Sequence, residues 1–374
     1  MRKAVVIAAF AALCLMSSPR VFAEIKYQDG DKYLQMGGRL QLQYHSESLK
    51  DGNNTDELLF RRLCPYIEGS VHKDWKGKFQ WDMGGSKFEL KDAYMGYMGF
   101  KSMNIILGNY TFPFSREVLT STEKQQLVER TFVGDHNYGT PHRQTGIHLN
   151  GEFKEKMFSW GFSVAKGAVD PDNKKLDFES VIQSDKEDDW SEGNMVGARF
   201  DFFPKGYFKF SQGDFDGETK IAFGVGTFMW KNDKDSLDPA RAKNDVDDVK
   251  GIEISGAFRS HGISLDAEYN LFNSELVDSG ITSGLYEDSE TLLENFAVEG
   301  GYLIQPIMVE VIAGYEIQNA DNYDKSWTRI SGGINYYIQK HDIKLQATYR
   351  IGENKDGIDG NDVDDLFVQT QYVF

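Results

Sequence analysis

The chain has 374 residues, a formal net charge of −17 and 13% aromatic residues. This length exceeds what one ordinary hydrophobic core supports, so it indicates either two soluble domains or one large barrel. The acidic charge argues against a nucleic-acid partner, which requires a basic surface, and after the N-terminus there is no apolar run of about 18 residues to form a transmembrane helix.

Residues 1–23 have the features of a secretory signal peptide. They begin with two basic residues, continue with an apolar stretch over 4–16 and end on Val21-Phe22-Ala23, where a signal peptidase would read small residues. We therefore predict a mature domain over 24–374. The leader carries three basic and no acidic residues, so its removal changes the formal charge from −17 to −20 (−17 − 3).

The mature chain keeps one cysteine, Cys64. A single thiol cannot form an internal disulfide, and the residues around it do not resemble a metal cluster. We therefore expect neither a disulfide nor a metal or other cofactor.

The first mature segment, 33–44, alternates strictly between apolar and polar residues. Leu40, Leu42 and Tyr44 share one parity, whereas Arg39 and Gln41 share the other. A period of two predicts a strand with one apolar and one polar face. A soluble sandwich would give the same pattern, so the fold depends on how many such segments follow.

The same alternation recurs along the chain, with polar residues on one parity, as a wet interior requires. Ile263 and Leu265, for example, alternate with Ser264 and Asp266. Sixteen segments show it: 33–44, 58–70, 77–84, 88–99, 102–109, 144–151, 157–167, 194–203, 219–230, 249–259, 262–272, 294–303, 307–317, 327–338, 342–351 and 365–374.

The links between these segments are alternately short and long, which is typical of outer-membrane barrels with both termini on the short-turn side. The link 204–218 is long where a short turn is expected, and Phe208 and Phe210 could make it an extra strand. An odd count would place the C-terminus on the wrong side. We therefore predict an all-β fold, a transmembrane antiparallel β-barrel of 16 strands; the alternative is a soluble β-sandwich or a two-domain lectin-like protein.

Between the fifth and sixth segments the alternation stops over 110–143, where Pro113, Gly134, Gly139 and Pro141 interrupt it. A loop this long in a compact domain is usually functional or disordered. We predict that this third long loop folds into the barrel lumen and sets the selectivity of a pore.

Several motifs resemble the phosphate-selective porin O/P family. They are Gly108-Asn109-Tyr110-Thr111-Phe112-Pro113-Phe114-Ser115-Arg116-Glu117-Val118-Leu119-Thr120-Ser121 with Glu129-Arg130, Phe60-Arg61-Arg62, Leu90-Lys91-Asp92-Ala93-Tyr94-Met95-Gly96-Tyr97 and the terminal Tyr372-Val373-Phe374. The resemblance implies a homotrimer of sixteen-stranded barrels in the outer-membrane lipid of a Gram-negative bacterium. It also implies a constricting third loop and passive diffusion of small hydrophilic solutes, in particular anions such as phosphate.

Anion selection requires cationic side chains facing a narrow lumen, where screening is weak. Parity predicts that Arg39 faces inward, and that one of the adjacent Arg61 and Arg62 does. The candidate pore residues are Arg39, Arg61, Arg62, Asp92, Tyr94, Arg116, Lys124 and Arg130. Asp92 and Tyr94 enter through the family motif, with Asp92 orienting an arginine.

The basic residues of the loop are matched by acids, so we expect a weak to moderate anion preference in which phosphate is a permissible solute. Any single interior arginine could instead pair with a carboxylate and hold the wall.

Two other functions are open from the sequence. His136, His142 and His148 lie near Ser115, Ser121 and Asp135, but there is no nucleophile elbow or zinc-protease motif, so we do not predict an enzyme. Alternatively, a structural or adhesin-type barrel could bind a partner through acidic loops such as 168–193. Those acids fit a solvated rim, or divalent cations that bridge to lipid headgroups.

Overall fold

The computed structural model describes residues 25–50, 52, 54–182, 191–233 and 245–374. The predicted signal peptide and part of the acidic loop 168–193 lie outside these ranges. Among the described residues, no helix is long and apolar enough to cross a membrane.

Sixteen antiparallel strands form a closed barrel, as predicted. They form one continuous antiparallel ladder, and pairing of the first barrel strand with the last closes the sheet. The barrel strands are β2 (Lys32–Leu49), β3 (Thr55–His72), β4 (Trp75–Asp82), β5 (Glu89–Tyr97), β6 (Asn104–Thr111), β7 (Arg143–Phe153), β8 (Phe158–Asp170), β10 (Glu192–Phe202), β11 (Lys220–Asn232), β12 (Val246–Ser260), β13 (Ile263–Leu276), β14 (Glu290–Ile304), β15 (Val309–Asn319), β16 (Trp327–Gln339), β17 (Ile343–Glu353) and β18 (Val363–Val373).

Two further strands, which the sequence did not reveal, extend this barrel. β1 (Ile25–Asp29) pairs with the start of β2, and β9 (Asp177–Glu179) pairs with the end of β8. Both are short, so their alternation is too brief to detect. The link 203–219 contains no strand, which confirms the count of sixteen barrel strands.

The alternation of the sequence corresponds to the two faces of the wall. On β12, Ile254 is 60% exposed whereas its neighbour Glu253 is fully buried. On β13, Ile263 and Leu265 are exposed and Ser264 is buried. The outer face is thus apolar and the inner face polar, as expected of a barrel in lipid.

One side of the inner face is apolar, however. Side chains of β10–β14 and of three long loops form a buried hydrophobic cluster that includes Phe112, Phe114, Leu176, Phe178, Met195, Phe228, Trp230, Phe272, Leu285, Tyr286 and Leu293. Phe114 packs edge-on against Phe228 with ring centroids 4.8 Å apart. This cluster attaches the long loops to strands β10–β14, because burying large aromatic side chains is strongly favourable.

Candidate functional site

The central loop, residues 112–142, begins with a short helix, Arg116–Leu119. Ser115 starts it because its hydroxyl accepts a hydrogen bond from the Val118 amide at 3.2 Å, a standard N-cap. The helix lies against β13. Arg116 Nε donates to Asp266 Oδ1 at 3.0 Å, and the Glu117 amide donates to Glu268 Oε2 at 2.9 Å.

The tip of the central loop, residues 121–126, contacts β2 and β17, the two neighbours of β18, and also β15. Arg39 Nη1 on β2 donates to Ser121 Oγ at 3.3 Å, and Lys344 Nζ on β17 donates to the Gln125 carbonyl at 2.7 Å. Gln126 Nε2 donates to Glu310 Oε1 on β15 at 2.6 Å.

The returning arm of the loop is also attached to the inner face. Glu129 accepts hydrogen bonds from Arg61 and from Gln43, whose Nε2 lies 3.0 Å from Glu129 Oε1. Burial alone would raise the pKa of Glu129, but the Arg61 guanidinium and these hydrogen bonds outweigh burial and lower it below its ordinary value. Glu129 is therefore a carboxylate at neutral pH. Further along, the Phe132 amide donates to Glu316 Oε2 at 2.8 Å.

Most of the inner-face acids that meet the loop share one side of the barrel. This acidic wall comprises Glu253, Asp266, Glu268, Glu299, Glu310 and Glu316, on β12–β15. All six side chains are buried. They accept hydrogen bonds from loop amides or pair with buried arginines; Arg199, for example, lies 2.7 Å from Glu253. These carboxylates are thus covered by the protein itself.

The opposite side of the inner face is basic. This basic wall comprises Arg39, Arg62, Lys76, Lys78 and Arg143, on β2–β4 and β7. Only three acids on these and the neighbouring β5 meet it: Glu68 pairs with Lys76 at 2.7 Å, Asp82 with Arg62 at 3.6 Å, and Asp92 with both Lys78 and Arg143 at 2.7 and 2.6 Å. Arg39 pairs with Glu123 of the central loop at 3.7 Å, so five cations face four acids, and the excess of positive charge arises because Asp92 serves both Lys78 and Arg143.

Several predicted residues lie on or near the basic wall. A register shift between Phe60 and Arg62 of β3 leaves Arg61 outside the ladder. Both arginines therefore contact interior partners, where parity alone predicted one. Asp92 does hold an arginine, Arg143. The Tyr94 ring packs edge-on against Tyr110 at 5.1 Å.

The three candidates within the loop differ from one another. Arg116 is 3% exposed and belongs with the acidic wall, so its charge is neutralised. Arg130 donates to the carbonyls of Glu117 and Thr120, at 2.5 and 3.0 Å, and so ties the two arms of the loop together. Lys124 remains partly exposed at the tip, 3.9 Å from Glu123.

Sequence reasoning missed the contribution of Lys76 and Lys78. Lys78 shares the parity of Gln80 and Asp82 within the predicted segment 77–84, whereas Lys76 falls just before that segment.

Two cavities adjoin the loop. One of about 360 Å³ is lined by six bases (Arg61, Arg62, Arg130, Arg329, Arg350 and Lys355) against five acids (Glu47, Glu57, Glu129, Asp135 and Asp365). The other, about 690 Å³, lies on the other side of the loop, where its lining includes Tyr110, His148 and Asn150. Both contain polar groups and can hold hydrated solutes.

The histidines have partners other than the serines with which the sequence could pair them. His136 pairs with Asp177 of β9, His142 Nε2 contacts the Gly134 carbonyl at 2.8 Å, and His148 contacts Ser163 at 2.7 Å. Burial, together with the charges of His136 and Arg130, holds the pKa of His142 well below its ordinary value. His142 is thus neutral and bonded to backbone.

Comparison with known proteins agrees with this architecture. The family model described as phosphate-selective porin O and P matches residues 34–374. Porin O of Pseudomonas aeruginosa is 23% identical over 94% of this chain and 90% of its own length. Among solved structures, the anion-selective porin from Comamonas acidovorans has a TM-score of 0.63 at 12% identity, covering 92% of this chain and 100% of that one.

A second solved structure gives the same fold. The outer membrane channel DcaP of Acinetobacter baumannii has a TM-score of 0.59 at 15% identity, covering 94% of this chain and 100% of that one. The family match spans nearly the whole barrel, and the family and fold indicate a channel. The chain therefore belongs to the phosphate-selective porin O and P family and is a porin of the Gram-negative outer membrane.

Proposed function

We propose that this porin conducts small anions, phosphate among them, along a path between the central loop and the basic wall. The observation that carries the proposal is the separation of charge across the inner face. The acidic wall is buried beneath the loop, whereas the basic wall has more cations than acids. A solute passing the loop would thus meet the cations.

The central loop lies inside the lumen in this proposal and forms the constriction. Its contacts support that position, because it meets Arg61 on β3 and Asp266 on β13, two strands that lie nearly opposite each other in the closed ladder, and also meets β2, β15 and β17. A segment attached to both sides of a barrel crosses its interior. The cavity of about 360 Å³ on one side of the loop and that of about 690 Å³ on the other are then the two vestibules.

Residue roles follow from the charges. Arg39, Arg62 and Lys78 contact the solute, with Lys124 at the loop tip. Arg61, Arg116 and Arg130 hold the loop, since each is bonded to a loop carboxylate, a wall carboxylate or a loop carbonyl. Asp92 positions Lys78 and Arg143. Tyr94 and Tyr110 form an aromatic part of the wall beside them.

The assembly in this proposal is a homotrimer, as in the trimer form of OmpT of Vibrio cholerae, a 13% identical structural neighbour with a TM-score of 0.59. Its outer apolar face contacts membrane lipid. We propose no enzymatic activity, because His136, His142 and His148 are each bonded to a group other than Ser115 or Ser121.

Planar-bilayer recording tests the proposal. Under a potassium chloride gradient, the reversal potential should have the sign of an anion-preferring pore, and added inorganic phosphate should reduce the chloride current. A cation-selective reversal potential would refute it. Chloride conduction that phosphate leaves unchanged would remove phosphate from the proposed solutes.

A further inference from the structure

The link between β10 and β11, residues 203–219, is the longest on its side of the barrel. It has 17 residues, whereas the β3–β4 and β12–β13 links at the same end have two each. The link contains no helix or strand, yet Gln212 and Asp214 are 2% and 3% exposed. A loop with buried polar side chains requires internal partners, because unpaired buried polar groups are costly.

Gln212 finds two of its partners in the tip of the central loop. Its main-chain amide donates to the Lys124 carbonyl at 2.9 Å, and its side-chain Oε1 accepts from the Gln126 amide at 2.6 Å. One residue of the β10–β11 link thus holds the loop tip through two hydrogen bonds separated by a single loop residue.

The remaining groups of Gln212 bond to the barrel wall. Its Nε2 donates to Glu299 on β14, and its carbonyl accepts from His341 Nε2 at 2.9 Å. The main-chain amide, the main-chain carbonyl, the side-chain oxygen and one hydrogen of the side-chain amide of Gln212 thus each have a hydrogen-bond partner. Gln212 bridges the loop tip to two separate parts of the barrel.

The link itself is fixed to the barrel on both sides of Gln212. Arg259 Nη2 donates to the Ser211 carbonyl at 2.8 Å, and the Gly262 amide donates to Asp214 Oδ2 at 2.7 Å. Phe210 lies against the Arg116 guanidinium, 5.2 Å from ring centroid to Cζ. These contacts restrict the movement of Gln212, and its hydrogen bonds therefore restrict the movement of the loop tip.

We propose that Gln212 is a positioning residue that sets the width of the pore, because it holds in place the loop tip that Arg39 of the basic wall contacts through Ser121 and Glu123. The inference rests on the proposed function, in which the central loop is the constriction. The β10–β11 link enters from the opposite end of the barrel to the loop, so the constriction is supported from both ends.

The test combines truncation with an exchange of side chains. Gln212→Ala removes the bonds to the Gln126 amide and to Glu299. Gln212→Glu keeps the acceptor for the Gln126 amide but places a second carboxylate against Glu299. The double substitution Gln212→Glu with Glu299→Gln restores one donor and one acceptor at that contact. Gln305→Ala, an exposed glutamine in the neighbouring link, is the matched control.

Two readouts are needed on the folded full-length porin: hydrogen exchange of the amides in 122–128, and single-channel conductance with its open-channel noise. Both single substitutions at Gln212 should raise the exchange rate about tenfold or more and increase conductance and noise, since exchange follows local opening. The double substitution should return both readouts toward wild type, and Gln305→Ala should leave them unchanged.

Unchanged exchange in Gln212→Ala would overturn the inference, and so would faster exchange without any change in conductance or noise. A residue that only stabilises the barrel would lower the unfolding temperature and move neither readout. The proposed function fails separately, through a cation-selective wild-type pore, which leaves the exchange result unaffected.

Discussion

The two sides of the inner face use their charges in different ways. The side chains of the acidic wall are buried, and its carboxylates accept hydrogen bonds from loop amides and pair with buried arginines. The basic wall is partly exposed, and its pairs lie along the proposed path. Formal charge is therefore a poor guide to the selectivity of this pore, because the net charge of −17 includes acids that are covered and cannot meet a solute.

The largest expected effect is on stability, at the acidic wall. Glu316 lies 3.5 and 3.6 Å from Arg329 and Arg350 and accepts from the Phe132 amide. Glu316→Ala should cost about 3–5 kcal/mol, because it leaves buried cations without a partner. The matched change on the basic wall, Glu68→Ala, removes a more exposed pair with Lys76 and should cost about 1 kcal/mol or less.

Equilibrium unfolding by denaturant, followed by tryptophan fluorescence, measures both costs. If the two variants lose the same stability, the two walls do not differ in burial as described.

The next effect is on selectivity, at the basic wall. We expect Arg39→Gln, Arg62→Gln and Lys78→Gln together to lower the anion-to-cation permeability ratio about tenfold. One unit charge at about 10 Å contributes roughly 1.7 kcal/mol at an effective dielectric near 20, before screening by salt. Reversal potentials measure the ratio, with exposed Lys154→Gln, Lys205→Gln and Lys209→Gln as a control of equal charge change. A shift as large in the control would mean that net charge, not the wall, sets selectivity.

A smaller change sharpens the comparison. Glu129 is ionised and lines the cavity of about 360 Å³, so Glu129→Gln should raise the anion preference about twofold, a small effect because partly exposed charges are screened. Glu268→Gln removes a buried carboxyl group from the acidic wall, and it should leave the reversal potential unchanged because this group does not meet the solute. Equal shifts in both variants would show that the acidic wall also faces the solute.

The smallest effect concerns pH. Desolvation lowers the pKa of His136, but its hydrogen bond to Asp177 and nearby carboxylates outweigh this and raise the pKa above its ordinary value. Because the pKa of His136 is raised in the folded protein, the His136–Asp177 pair contributes its full stabilisation of the folded state below about pH 6.5. This contribution is lost as the pH rises through the folded-state pKa. The side chain is 42% exposed, so we expect about 0.5–1 kcal/mol.

Unfolding at pH 5.5 and pH 8.5 measures this contribution, and His136→Gln should reduce the difference between the two. If wild type and variant show the same pH dependence of stability, that dependence comes from groups other than His136.

The sequence predicted the barrel well because each strand has an apolar outer face, and that face is a local property. All sixteen barrel strands were predicted, since a period of two, as in Ile263 to Asp266, survives without knowledge of neighbours. The short β1 and β9 were missed because three to five residues cannot establish a period.

The site was less predictable because pairing is a long-range property. Arg116 and Arg39 look alike in sequence, yet one is neutralised by Asp266 150 residues away, and the other reaches across to the loop tip. The register shift that brings Arg61 and Arg62 to the same side depends on the pairing of β2 with β3. The role of Gln212 depends on contacts with Gln126, 86 residues distant.

Chemical modification of single cysteines tests the central claim most directly. In a Cys64→Ser background, Gln80→Cys places a thiol beside Lys78 and Asp82 on β4, and Ser264→Cys places one beside Asp266 on β13. A negatively charged methanethiosulfonate reagent, added during bilayer recording, should reduce the current through Gln80→Cys and leave Ser264→Cys unchanged. Modification of Ser264→Cys with loss of current, while Gln80→Cys stays unaffected, would contradict a path along the basic wall.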